Sequence, residues 1–506
     1  MNVVIRADAS LHIGTGHVMR CLVFSRELKK LGYDVHFIMR RLPGNLIGFI
    51  KEQGLKTIEL PLEREYVRPS SDSDYAGWLQ VTEEQDAIDF NAKVKSADLV
   101  LVDHYALGVE WERTIRKQLD CNVLVFDDLM RNHHADFLVD PTFLRNEFAY
   151  NDKNSAGINL IGTDFAIIDP SFSVIRERKI AVVHSSEDKI LLSMGGIDKD
   201  GVTLDVMKSL FFSGLNFPPV TVLISPKSPS YDEVKEMCVN NKDKFTQLDF
   251  TFDMASLMEQ HSIAIGAPGG TSWERCALGI PSILIPLADN QLAIASSLEN
   301  NNAAIVVQRD NLNSSILKAY LKLVEHKVEM RDSCFRICDG YGLRRVLQFV
   351  LSTSRDRNQD IFIRTAKEND IKQVYDWQCM PETRKYALNT KAPSWEEHLA
   401  WMTSKIADVR NYFYIISSEK PENSKGVVRL DRFDVNKYII SIFISPESYG
   451  KGIAQNALKA IDTIHPNIEI HATVLENNIP SQKLFTSAGY KRSTKESFVR
   501  LPINGM

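Results

Sequence analysis

The chain has 506 residues, 44% of them hydrophobic and 25% charged, close to globular averages but too long for one hydrophobic core, so about two to four domains are expected. A formal net charge of -5 with no Lys/Arg-rich tract lacks the basic footprint of a nucleic-acid partner. The start runs directly into a short apolar strand rather than a signal peptide, no apolar run approaches the ~18 residues of a membrane span, and the 7 cysteines are scattered, so a cytoplasmic protein with no membrane partner and no metal site is expected.

From Met1 to about Gly342 short apolar runs alternate with amphipathic helical stretches, the signature of parallel α/β layers. In the first half the strands fall at 3–5, 35–38, 99–102 and 123–126, and 18–31 has helical spacing. A charged stretch at 175–179 and a polar one at 184–189 precede a fresh strand at 190–194, which puts a boundary near 180. The second half continues with strands at 220–224, 262–265 and 282–285. A polar run then reads as a linker at 353–360. The fold class expected is therefore α/β: two Rossmann-like domains, 1–180 and 181–352, followed by a third domain of 361–506.

Three turns at strand ends carry chemistry. The first is His12-Ile13-Gly14-Thr15-Gly16-His17, leading into the helix that begins near Val18. A strand, a glycine loop and a helix start present free N–H groups and a positive dipole end to an anionic or strongly polar ligand. His17 at that mouth fits a base that takes a proton from water, and it fits a helix-capping turn equally well. The second turn is Gly266-Ala267-Pro268-Gly269-Gly270-Thr271-Ser272, followed by Glu274, whose carboxylate suits ribose hydroxyls; the third is Ser193-Met194-Gly195-Gly196-Ile197-Asp198. Ligands in such folds sit beyond the carboxyl ends of the strands.

Arg6-Ala7-Asp8-Ala9-Ser10 with Gly14-Thr15-Gly16-His17-Val18-Met19-Arg20-Cys21, Val102-Asp103-His104-Tyr105, Asp127-Asp128-Leu129, Gly269 to Cys276 and Asp289-Asn290-Gln291 resemble, in this order, the UDP-sugar hydrolases of pseudaminic acid biosynthesis. The resemblance implies a glycosyltransferase-B-like fold acting on UDP-2,4-diacetamido-2,4,6-trideoxy-β-L-altropyranose without a metal. It further implies His17 as the base that activates water, and Arg6, Asp8, Gly14, Gly16, Tyr105 and Asn290 at the sugar. UDP would be held by Gly195, Gly196, Gly269, Gly270, Thr271, Ser272 and Glu274. Ile167-Ile168-Asp169-Pro170-Ser171-Phe172 lacks the arginine usual in that segment.

In the last region a strand at 441–446 leads through Tyr449-Gly450-Lys451-Gly452-Ile453-Ala454 into a helix, a turn whose amides can converge on a pyrophosphate. With Asn477, Ser481, Leu484 and Gly489-Tyr490 it resembles the GCN5-related N-acetyltransferases, which implies acetyl-CoA bound by Gly450, Lys451, Gly452, Ile453, Ala454 and Asn477. The region around Trp377, Arg384 and Trp395 to Trp401 resembles the branch that N-acetylates a UDP-4-amino sugar, the precursor of the hydrolase substrate. Phe485 stands where many members carry the tyrosine that protonates the thiolate. His398 and Trp401 share a helix face, read as packing. The expected function is thus bifunctional, with UDP-sugars and acetyl-CoA as partners; the alternative is a glycosyltransferase carrying a non-catalytic acetyl-CoA sensor.

Overall fold

The computed structural model describes residues 1–62, 65–71, 73–146, 148–154, 157–181, 188–352, 361–418 and 423–503, apart from the side chains of 290, 311, 313 and 352. The linker expected at 353–360 lies outside the described residues. The chain divides into two compact units, one within Met1–Ile175 and His184–Gly340, the other within Arg176–Val183 and Tyr341–Met506.

The first unit holds two parallel sheets. Strands β1 (Asn2–Ala7), β2 (Asp34–Arg40), β3 (Lys56–Leu60), β4 (Leu99–Asp103), β5 (Asn122–Phe126), β6 (Phe137–Asp140) and β7 (Ile158–Ile161) run in the order β3-β2-β1-β4-β5-β6-β7. Every residue of β4 is buried, as expected of a strand covered on both faces. The core on one side gathers Val4, Ile38, Phe90, Val100 and Trp111. Trp111 is 1% exposed, and burying a side chain of this size contributes roughly 3 kcal/mol.

The second sheet contains β8 (Ile190–Ser193), β9 (Val220–Leu223), β10 (Phe245–Leu248), β11 (Ile263–Gly266), β12 (Ser282–Leu284) and β13 (Ala304–Val306), ordered β10-β9-β8-β11-β12-β13. In both sheets the order reverses at one point, between β1 and β4 and between β8 and β11. A crevice opens there beyond the carboxyl ends of the strands.

The second unit is built on β14 (Ile361–Thr365), β15 (Tyr412–Ser418), β16 (Ser424–Asp434), β17 (Lys437–Ile444), β18 (Glu469–Thr473), β19 (Lys491–Arg492) and β20 (Ser497–Arg500), ordered β14-β15-β16-β17-β18-β20-β19. Among the described residues only the β17 and β18 pair is parallel, and its register runs from Lys437↔Glu469 to Ile439↔His471. Beyond that point the two strands part while β17 continues to Ile444, paired along its other edge with β16.

Two segments depart from the sequence expectation. The charged stretch 175–179 belongs to the helix Ser171–Lys179, and Glu177, only 2% exposed, accepts hydrogen bonds from Tyr412 (2.7 Å), Tyr438 (2.7 Å) and Tyr341 (3.3 Å). The helix Gly342–Ser352, expected with the second sheet, packs in the second unit, where Gln348 bonds Ile361 O at 2.5 Å and Phe349 stacks on Phe362 at 4.7 Å. Charge along the segment suggested a surface separator, but the buried tyrosines supply the donors that let a carboxylate sit inside. Among the described residues no helix is long and apolar enough to cross a membrane.

Candidate functional site

The two crevices of the first unit are where the sequence placed its glycine turns. At the end of β1, Gly14 takes φ +78°, and its N–H returns to Ser10 O at 3.0 Å, closing a tight turn. The helix Gly16–Lys30 starts there, and among the described residues Thr15 makes no side-chain cap to its first amides. His17 is 9% exposed, and its Nδ1 lies 2.5 Å from Asp103 Oδ1 at the end of β4. The parallel register that sets Ala7 beside Asp103 makes this meeting possible across 86 residues of sequence.

Asp103 is fully buried and also receives Arg20, Nε and Nη2 each at 2.6 Å. Burial opposes its ionisation, yet the Arg20 guanidinium and His17 hold the carboxyl well below the usual carboxylate range. An ionised carboxylate accepts only, so Nδ1 of His17 carries a proton, and in the neutral imidazole Nε2 is then the acceptor. Tyr105 stands edge-on to the His17 ring at 4.6 Å and donates to Asp128 Oδ1 at 2.5 Å, and Tyr75 and Trp78 complete an aromatic wall. Burial, then Asp128, pushes the Tyr105 phenol well above its ordinary range, so it stays a donor.

Arg6 and Asp8, expected at the sugar, lie in the interior beside this loop. Both are 0% exposed; Arg6 bonds Asp8 at 2.8 Å and Asp86 at 2.8 Å, and Asp8 accepts the Arg40 amide at 2.7 Å. Their charges pair with one another and with Asp86 beneath the loop. The side chain of Asn290 lies outside the described residues; its backbone lies in the turn Asp289–Gln291.

Across the crevice, Gly195 adopts φ +97°, and a Cβ built on Gly196 would meet Thr15 Oγ1 at 3.2 Å, so the second layer's loop touches the His17 loop. Phe49 of the first layer also packs against Phe250 and Phe252 of the second, at 6.3 and 6.2 Å. Gly269, Gly270 and Thr271 open the short helix Thr271–Ala277, and Ser272, 1% exposed, accepts the Gly269 amide at 3.2 Å. Ser272 thus shapes the loop from within. Glu274 Oε2 is buried without a partner among the described residues, and burial raises its carboxyl to about 7 against the pull of Arg275, with Asp169 adding to the rise.

In the second unit Gly450 and Gly452 take φ +74° and +73°, and a Cβ on either would meet nothing within 4 Å. The amides from Gly450 to Ala454 have no backbone partner among the described residues, while the Ile453 side chain sits in the core and leaves only its backbone for a ligand. Lys451 is exposed. Asn477 is exposed and caps nothing; its neighbour Asn478 accepts the Ser481 amide at 3.2 Å and starts the helix Ile479–Ser487. Phe485 is 4% exposed against Tyr490 at 5.0 Å. His398 has both ring nitrogens bonded, to Gln378 and Ile371 O at 3.1 Å each, as packing requires.

Asp103, Arg20 and the parting of β17 from β18 were not assigned from sequence. The first two lie inside the quoted motifs, and an aspartate closing a buried strand was the available signal. Among the described residues no group of three or more His, Cys, Asp or Glu could hold a metal ion.

Residues 216–334 match the Glycosyltransferase family 28 C-terminal domain, and residues 360–491 match the Acetyltransferase (GNAT) domain. An uncharacterized protein of Methanocaldococcus jannaschii is 23% identical over 98% of this chain and 98% of its own length. The UDP-2,4-diacetamido-2,4,6-trideoxy-beta-L-altropyranose hydrolase of Campylobacter jejuni is 27% identical over 42% of this chain and 66% of its own. The spore coat polysaccharide biosynthesis protein SpsG of Bacillus subtilis is 23% identical over 68% of this chain and 96% of its own.

Proposed function

We propose that this chain, in which a glycosyltransferase-B-like pair of parallel layers is joined to a GNAT domain, is a bifunctional sugar-nucleotide enzyme: it N-acetylates a UDP-4-amino sugar with acetyl-CoA and hydrolyses the resulting UDP-2,4-diacetamido-2,4,6-trideoxy-β-L-altropyranose. The observation that carries the hydrolytic half is the His17–Asp103 contact at 2.5 Å, which leaves Nε2 of His17 as a proton acceptor beside the glycine loops.

A water oxygen attacks the anomeric carbon with inversion. The bond from that carbon to the β-phosphate oxygen breaks, UDP leaves with the electron pair, and the water's proton passes to Nε2 of His17. Asp103 then faces an imidazolium it is already placed to stabilise, and a positioned base of this kind contributes ~10²- to 10⁴-fold. Glu274 accepts the ribose hydroxyls, and the free amides at Gly195 and Gly270 face the diphosphate.

At the second site the amides from Gly450 to Ala454 hold the coenzyme's pyrophosphate, and the gap between β17 and β18 admits the thioester arm. The uncharged amine nitrogen attacks the thioester carbonyl, the C–S bond breaks with the thiolate taking the electron pair, and the proton the nitrogen sheds passes to water. Phe485 has no proton to give, so the thiolate takes one from water.

The test is to incubate the chain with the 4-amino UDP-sugar, with and without acetyl-CoA, and follow the products by NMR. N-acetylation only with acetyl-CoA, followed by UDP release without any added acceptor, is expected. UDP release that needs an acceptor sugar would make the first site a glycosyltransferase; coenzyme binding without acetyl transfer would make the second a sensor.

A further inference from the structure

The helix Thr271–Ala277 carries a second ionisable group next to Glu274. Arg275 is 4% exposed, and its Nη2 donates to Ala267 O and Ser272 Oγ, each at 3.0 Å. Its Nε is buried without a partner, and no carboxylate forms an ion pair with it among the described residues. The other buried guanidiniums of this unit are treated differently: Arg6 meets Asp8 and Asp86, and Arg40 meets Asp86 and Asp89, at 2.7 to 2.9 Å. A buried charge without a counter-charge is costly, and proteins rarely leave one so.

The surroundings of Arg275 point to what balances it. Its two bonds reach the loop that Gly269 and Gly270 open, and Ser272 Oγ links it at one remove to the Gly269 amide at 3.2 Å. Gly266 must lack a side chain here, since a Cβ would lie 2.9 Å from Arg275 Nη1 and 2.3 Å from Ser193 O. Beside it Glu274 keeps an oxygen without a donor among the described residues. One short helix thus presents a cation lacking an anion and an acceptor lacking a donor. A nucleoside diphosphate supplies both.

We propose that Arg275 is a positioning residue that sets the glycine loop from below and provides the counter-charge for the diphosphate, more strongly for departing UDP than for the bound UDP-sugar. This rests on the UDP-sugar reading of the same site. Breaking the bond to the anomeric carbon adds one negative charge to the β-phosphate as UDP leaves. A fixed positive charge beneath the loop is therefore worth more in the transition state than in the ground state, and its loss lowers kcat as well as affinity.

The test compares calorimetric binding of uridine, UMP and UDP to the full chain and to Arg275→Met, Arg275→Gln and Arg275→Lys, together with kcat for UDP release. In the unaltered chain affinity rises along the series. Arg275→Met and Arg275→Gln are expected to keep uridine affinity within about twofold while UDP affinity falls at least about tenfold and kcat falls with it, and Arg275→Lys is expected to recover part of both. Equal loss for uridine and UDP, or loss for neither, overturns the proposal. If Arg275→Met does not fold, the contrast between Arg275→Lys and Arg275→Gln decides, and equal UDP affinity in these two overturns it. An unaltered chain that binds none of the three ligands refutes the UDP reading of the site itself, a failure distinct from an Arg275 series that responds to phosphate no differently from the unaltered chain.

Discussion

Replacing Asp103 by asparagine removes a fully buried charge that receives His17 at 2.5 Å and Arg20 twice at 2.6 Å. The carboxamide is nearly isosteric but presents an N–H₂ to one of these donors, so either His17 loses the acceptor that fixes its Nδ1 proton or Arg20 loses half of its fork. Turning the imidazole so that its proton sits on Nε2 disables the base, and the expected fall in kcat is about 10³-fold, within the range assigned to positioned general bases. Stability falls too. Breaking a buried ion pair costs about 3 kcal/mol, and the low end applies because the Arg20 side chain is 21% exposed and retains Asp128 at 3.7 Å. The assay is UDP release under saturating UDP-sugar beside urea denaturation of the same preparation. An Asp103→Asn chain that folds and turns over within about twofold of the unaltered one would refute the argument that Asp103 sets the tautomer of His17.

Three further outcomes are expected. The Glu274 carboxyl, raised by burial to about 7, accepts two ribose hydroxyls best when ionised, so uridine binding strengthens as pH rises from 6 to 8, and Glu274→Gln makes calorimetric affinity flat over that range. Glu177→Ala leaves Tyr412, Tyr438 and Arg432 facing an empty buried acceptor site and lowers the stability of the second unit by about 3 kcal/mol, read by chemical denaturation monitored through the tyrosines. Gly452→Ala introduces a side chain at φ +73°, costs about 1 kcal/mol of strain, and by tilting the neighbouring amides weakens acetyl-CoA binding several-fold in a direct titration.

Strands buried on both faces were legible because their apolar runs are continuous, as in β4 and β5. Strand β10, Phe-Thr-Gln-Leu at the edge of its sheet, carries no such signal, since only one of its residues is buried. The position of His17 was legible from its glycine turn; its partner was not, because Asp103 arrives from a different strand and only the parallel register brings it near. The pairing of Arg6 with Asp86 was not legible either, since Asp86 lies 80 residues away on a separate helix. Glu177 was hidden in the same way, its burial depending on tyrosines more than 160 residues distant.

The central claim is that His17 activates water against a UDP-sugar. The chain incubated with UDP-2,4-diacetamido-2,4,6-trideoxy-β-L-altropyranose and nothing else should release UDP together with free sugar whose first-formed anomer, followed by ¹H NMR, is inverted, and His17→Ala should abolish both. UDP release that survives in His17→Ala would contradict the account.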